Sequence, residues 1–84
     1  MDFLLKPEQT VIEIKKTRQG LATKELGQQL SIDIMYYSAH PDCKSFICFI
    51  YDPEDHVTNK EGFERDLSNP INGMEVKVFF SPKN

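Results

Sequence analysis

Eighty-four residues, 39% hydrophobic and 27% charged, are enough for one small soluble core with little margin. No apolar run approaches the roughly 20 residues needed to cross a bilayer, and no signal-peptide segment opens the chain, so no membrane association and a cytoplasmic location are expected. A net charge of −3 argues against broad nucleic-acid affinity, which depends on neutralising phosphates. The distribution softens that exclusion: residues 1–40 hold five Lys/Arg against five Asp/Glu, and residues 41–84 hold five against eight. Lys15, Lys16, Arg18 and Lys24 form a local basic group, which leaves room for a narrow DNA-facing strip on an acidic body.

In chain order, the apolar runs Phe3 to Leu5 and Val11 to Ile14 flank Lys6-Pro7-Glu8-Gln9. Pro7 suits the second position of a tight turn, so an antiparallel hairpin is predicted. With Pro7 and Glu8 at the turn centre, Lys6 pairs with Gln9 and Asp2 falls opposite Glu13. Such partners lie roughly 5 Å apart at Cβ, and Lys15, two residues beyond Glu13, shares their face. Facing carboxylates repel, and hairpin stability does not favour them. A divalent cation such as Mg²⁺ would remove the repulsion, and an ammonium beside it could position a water. The chemistry these groups suggest is metal-assisted phosphodiester hydrolysis. The alternative is an exposed hairpin face carrying ordinary charges.

Thr17-Arg18-Gln19-Gly20 is a polar connection. A helix is predicted from Ala22 or Thr23 to Ala39, stopped by Pro41. Leu26, Leu30, Ile34 and Tyr37 recur at helical spacing and should pack on the sheet; Ile32, Met35 and Ala39 make a second apolar line, surplus to a half-exposed helix. Between them runs a polar row of Glu25, Gln29, Asp33 and Tyr36, for which a solvated helix face is the plain reading. Phe46 to Tyr51 is a continuous apolar run, the pattern of a strand buried on both faces. Asp52-Pro53-Glu54-Asp55 ends it, its acids read as turn formers, with His56 an exposed loop histidine. Cys48 is read as a core thiol and Cys43 as a free thiol in a turn, since two cysteines make no disulfide framework or zinc site. Asn59 caps a short helix ending near Leu67. Met74 to Phe80 alternates as a half-buried final strand, expected at an edge. Residues 1–84 read as one domain.

Asp2…Glu13-Ile14-Lys15 matches the PD-(D/E)xK nuclease signature. The runs Val11-Ile12-Glu13-Ile14-Lys15-Lys16-Thr17-Arg18, Lys24-Glu25-Leu26-Gly27-Gln28-Gln29-Leu30, His40-Pro41-Asp42-Cys43-Lys44 and Cys48-Phe49-Ile50-Tyr51-Asp52-Pro53 resemble the C-terminal catalytic domain of the DpnII/MboI restriction-endonuclease type. The resemblance follows the family's order over most of the chain. It implies an α/β, restriction-endonuclease-like mixed sheet; the right-handed crossover through the long helix is itself expected to make the strand of Glu13 and the strand of Phe46–Tyr51 parallel. The family's first helix and strand, which precede the position of Asp2, have no counterpart here; a fragment or truncated form, with a sheet edge completed by a second copy or a longer chain, is therefore expected.

The activity implied is endonucleolytic, with DNA as substrate and Mg²⁺, or Mn²⁺ in its place, as cofactor. Asp2, Glu13 and the backbone carbonyl of Ile14 would hold the ion, Lys15 would position the attacking water, and Lys16 and Arg18 would contact neighbouring phosphates. Gln29 would support the site from the helix, as a Gln does in many nucleases of the superfamily. A homodimer would suit a cutter of both strands. Two other readings stay open: a non-catalytic, truncated nuclease-like domain serving protein interaction or dimerisation, and a structural domain whose Asp2, Glu13 and Lys15 form a solvated charge network.

Overall fold

The computed structural model describes residues 2–5, 7–21 and 23–81, with Asp2, Phe3 and Leu5 described by backbone alone. Its elements in order are β1 (Asp2–Leu5), β2 (Thr10–Lys16), α1 (Thr23–Ser38), β3 (Ser45–Tyr51), α2 (Lys60–Leu67) and β4 (Glu75–Phe80). The strands form one sheet in the order β1-β2-β3-β4. The α/β architecture expected from the sequence is therefore present, with the hairpin first and the last strand at an edge.

β1 and β2 are antiparallel, and Asp2 stands opposite Glu13 as the turn chemistry predicts. The closing pair described is Leu5 with Thr10; the expected Lys6–Gln9 pair involves Lys6, which lies outside the described residues. Gln9 turns the chain with a φ of 51°, and its carbonyl accepts hydrogen bonds from the N–H groups of Lys44 at 2.8 Å and Ser45 at 3.3 Å. The hairpin is thereby tied to the start of β3.

β2, β3 and β4 are mutually parallel. Their two crossovers step in the same direction across the sheet, and with the usual right hand both helices fall on one face. That face carries Val11, Phe46, Cys48, Ile50, Val76, Val78 and Phe80, all buried with Leu26, Leu30 and Ile34 of α1. Tyr37 stacks on Phe46 with ring centres 5.5 Å apart, and Phe63 of α2 meets Phe80 edge-on at 5.5 Å. The primary apolar line of α1 packs as predicted. Ile32 and Met35 of the second line stay exposed.

The expectation of a strand buried on both faces needs correction. β3 is central in the sheet but covered on one face only, with Phe49 and Tyr51 exposed. Its run is apolar on both sides because its second face continues an apolar row, Ile14–Phe49–Phe79, across three strands. Among the described residues no helix crosses that row, since both helices lie on the other face.

The outer edge of β4 is blunted by α2. Val78 N–H donates to Ser68 Oγ at 3.0 Å and Phe80 N–H to Glu64 Oε2 at 2.8 Å, so groups that would invite another strand already have partners. α2 itself begins as predicted, with Asn59 Oδ1 accepting from Gly62 N–H at 3.1 Å.

Candidate active site

Alternation along β2 puts Val11, Glu13 and Lys15 on the helix-covered face and Ile12, Ile14 and Lys16 on the bare one. Glu13 is the residue this arrangement strands. Its neighbours in the sheet are Asp2 of β1 and Cys48 of β3, α1 lies above, and only 3% of it is exposed. Burying a carboxylate costs several kcal/mol, about as much as a good ion pair returns. Among the described residues Glu13 has one such partner: Lys15 Nζ lies 3.0 Å from its Oε1. Among the same residues, Oε2 is buried with no hydrogen-bond partner.

α1 supplies the third member. Asp33 Oδ2 lies 3.0 Å from Lys15 Nζ, so the ammonium bridges two carboxylates from different elements. Burial, and the Asp33 carboxylate that can accept a hydrogen bond from its acid form, push Glu13 from 4.5 up to about 7 against the opposing pull of Lys15. Burial disfavours the charged Lys15, yet the hydrogen bonds to Asp33 and Glu13 outweigh it and hold its pKa above the usual value. Two groups on one strand shifted by burial and by a shared charge partner make this face a functional-site candidate.

The other predicted residues fall as follows. Asp2 is in register with Glu13, but its carboxylate lies outside the described side chains. Ile14 has its side chain exposed on the bare face. Lys16 and Arg18 are exposed at the end of β2 and in the loop beyond it, Lys16 on the face opposite Glu13. Gln29 is exposed one helical turn before Asp33. Sequence reasoning had set Asp33 aside as part of a solvated face. The signal that could have found it was its place in the same polar row as Gln29, four residues on and nearer the middle of β2.

Asp52 is fully buried just beyond β3. It accepts from Thr17 Oγ1 at 2.7 Å and from the backbone N–H groups of His56 and Val57 at 2.9 Å each. Burial would raise its pKa, but these bonds together with Lys60 hold it below the ordinary carboxylate range. Asp52 thus ties the end of β2 to the loop after β3 and is a turn residue, as read from the sequence. Cys43 is buried, its thiol pushed up by burial, and Cys48 is a core thiol.

Among the described residues no three of His, Cys, Asp and Glu are grouped to hold a metal ion. The face offers Glu13 with its orphaned oxygen and a register position, Asp2, directly across from it. That donor chemistry, oxygen alone, suits a hard divalent cation, and an unsatisfied buried carboxylate oxygen is what such an ion would complete. Beside it, a cleft of about 410 Å³ lined by Leu4, Val11, Tyr36, Tyr37 and His40 opens two residues along β2 from Glu13. No helix among the described residues is long and apolar enough to cross a membrane.

A family model described as REase_DpnII-MboI matches residues 1–83. No curated protein and no solved structure matches the chain.

Proposed function

Because the chain belongs to the DpnII-MboI restriction-endonuclease family, we propose that it is a metal-dependent endodeoxyribonuclease whose reaction centre is the Glu13–Lys15 face of β2. The observation that carries this reading is the buried, unpartnered Oε2 of Glu13. The ionised form of Glu13 gains nothing for stability from such an atom, because the desolvation of that oxygen is uncompensated.

Asp2, Glu13 and the Ile14 carbonyl are the proposed ligands for Mg²⁺, with Mn²⁺ as substitute. Such an ion supplies Lewis-acid stabilisation of the charge that develops on a phosphate oxygen. Lys15, held charged beside Glu13, orients the attacking water through its N–H donors and offsets negative charge as it accumulates. Glu13 keeps Lys15 on this face. Lys16 and Arg18 are the proposed phosphate contacts, positioning DNA without reading its bases, and Gln29 is the proposed helix-side support.

Cleavage of supercoiled plasmid with Mg²⁺ or Mn²⁺ tests the reading. Nicking or linearisation is expected from the purified chain, abolished by chelator and by Glu13→Ala or Lys15→Ala in variants that remain folded. Equal cleavage by wild type and both variants would contradict the site.

A second reading is favoured by one observation: the Ile14–Phe49–Phe79 row, whose two rings stack at 6.0 Å, lies uncovered. A nuclease-like domain serving dimerisation or partner binding would use that face. In sedimentation, association that disappears in a Phe49→Ser/Phe79→Ser double variant supports it, and a monomer at every concentration counts against it.

A further inference from the structure

Resting on the nuclease reading above, we propose that Asp33 is the positioning residue for Lys15, anchoring its ammonium from α1 so that it stays in place when Glu13 is engaged by a cation. Lys15 Nζ is 3.0 Å from Asp33 Oδ2 and 3.0 Å from Glu13 Oε1. The two anchors are not equivalent. Glu13 lies on the same strand as Lys15 and is the carboxylate with an oxygen still to be satisfied. Once a divalent ion occupies that carboxylate, its charge repels the ammonium beside it, and Glu13 no longer holds Lys15 alone.

Asp33 has neither limitation. It comes from α1, which Leu30 and Ile34, both buried, seat on the sheet on either side of it. It donates nothing to the core, since its side chain is 31% exposed. A lysine stem is flexible and loses rotamer freedom on being fixed. A second carboxylate, on a separately packed element, confines the ammonium from a second direction while also standing against Glu13. The pull of Asp33 also keeps Lys15 on the helix-covered side of β2, where Glu13 stands.

The partial exposure of Asp33 makes it testable without opening the core. Asp33→Asn is expected to slow single-turnover plasmid cleavage about 100-fold, the scale of a displaced catalytic group, while affinity for DNA and Mn²⁺ is retained. Asp33→Glu, which restores the carboxylate, is expected to recover much of the rate. A readout independent of activity is the Nζ signal of Lys15 in ¹⁵N-lysine-labelled protein, assigned with Lys15→Met. With Mg²⁺ that signal should be sharp in wild type, broadened by water exchange in Asp33→Asn, and sharp again in Asp33→Glu; without Mg²⁺, Glu13 still holds the ammonium and the broadening in Asp33→Asn should be smaller.

Asp33→Asn cutting at the wild-type rate, or a Lys15 Nζ signal indifferent to the substitution, would overturn the assignment. A wild-type chain that does not cut DNA removes the nuclease reading, and the Nζ comparison still decides whether Asp33 holds Lys15.

Discussion

Glu13 is pushed up to about 7 while its unfolded counterpart titrates near 4.5, so the folded state binds its proton more tightly. The stabilisation that follows is present in full below pH 4.5 and lost as the pH rises through about 7. Metal-free protein is therefore expected to melt at progressively lower temperature across that window, whereas Glu13→Gln shows a shallower decline and melts higher than wild type at pH 8. Matching pH–stability curves for the two proteins would refute the assigned environment. A cation takes the ionised form, so the thermal shift given by Mg²⁺ should grow over the same window. Asp52 makes the opposite case. Its charge is matched by three hydrogen bonds and the nearby Lys60. Asp52→Ala leaves the His56 and Val57 N–H groups without their carboxylate acceptor and should cost about 3 kcal/mol in urea unfolding; a loss below the usual surface scatter of about 0.5 kcal/mol would contradict its structural role. Both carboxylates were visible in the sequence, but which was buried without compensation was not, because that depends on what α1 and α2 cover.

The hairpin was the most legible element. A proline in a four-residue turn between two apolar runs sets the register, and register alone places Asp2 across from Glu13. The two helices and the parallel β2–β3 pairing were likewise readable from spacing, caps and crossover handedness. The bare face of β3 was not, since a continuous apolar run reports two apolar faces and is silent on what covers each. Asp33 escaped for a related reason: helical periodicity places it on a polar row, and only the seating of α1 over β2 says that the row ends on Lys15. The packing of the helices carries its own prediction. Gly27 lies inside α1 with Phe63 Cε2 the nearest outside atom, 3.7 Å from where a Cβ would stand. That is ordinary contact, so Gly27→Ala should stabilise the protein by about 0.5–1 kcal/mol through helix propensity. At Gly62 a Cβ would come within 2.4 Å of the Asn59 side chain that caps α2, and the same substitution should bring no such gain. Denaturation midpoints of the two variants check both statements, and equal gains would show that the cap tolerates the methyl.

At the scale of the molecule, the sheet is blunted on the β4 side, covered by both helices on one face, and left with an exposed apolar row, Ile14–Phe49–Phe79, on the other. The proposed reaction centre sits away from the blunted edge, on the β1 side, where β2 stands in register with Asp2. The proposed chemistry turns on one atom, Glu13 Oε2, being the seat of an ion. Titrating Mn²⁺ into ¹⁵N-labelled protein and following paramagnetic broadening tests this most directly. Amide signals of Asp2, Glu13, Ile14 and Cys48 should broaden first, at substoichiometric Mn²⁺, be restored by excess Mg²⁺, and remain sharp in Glu13→Gln. Broadening confined to the acidic loop around Glu54 and Asp55, or the same pattern in wild type and Glu13→Gln, would place the ion elsewhere and contradict the account.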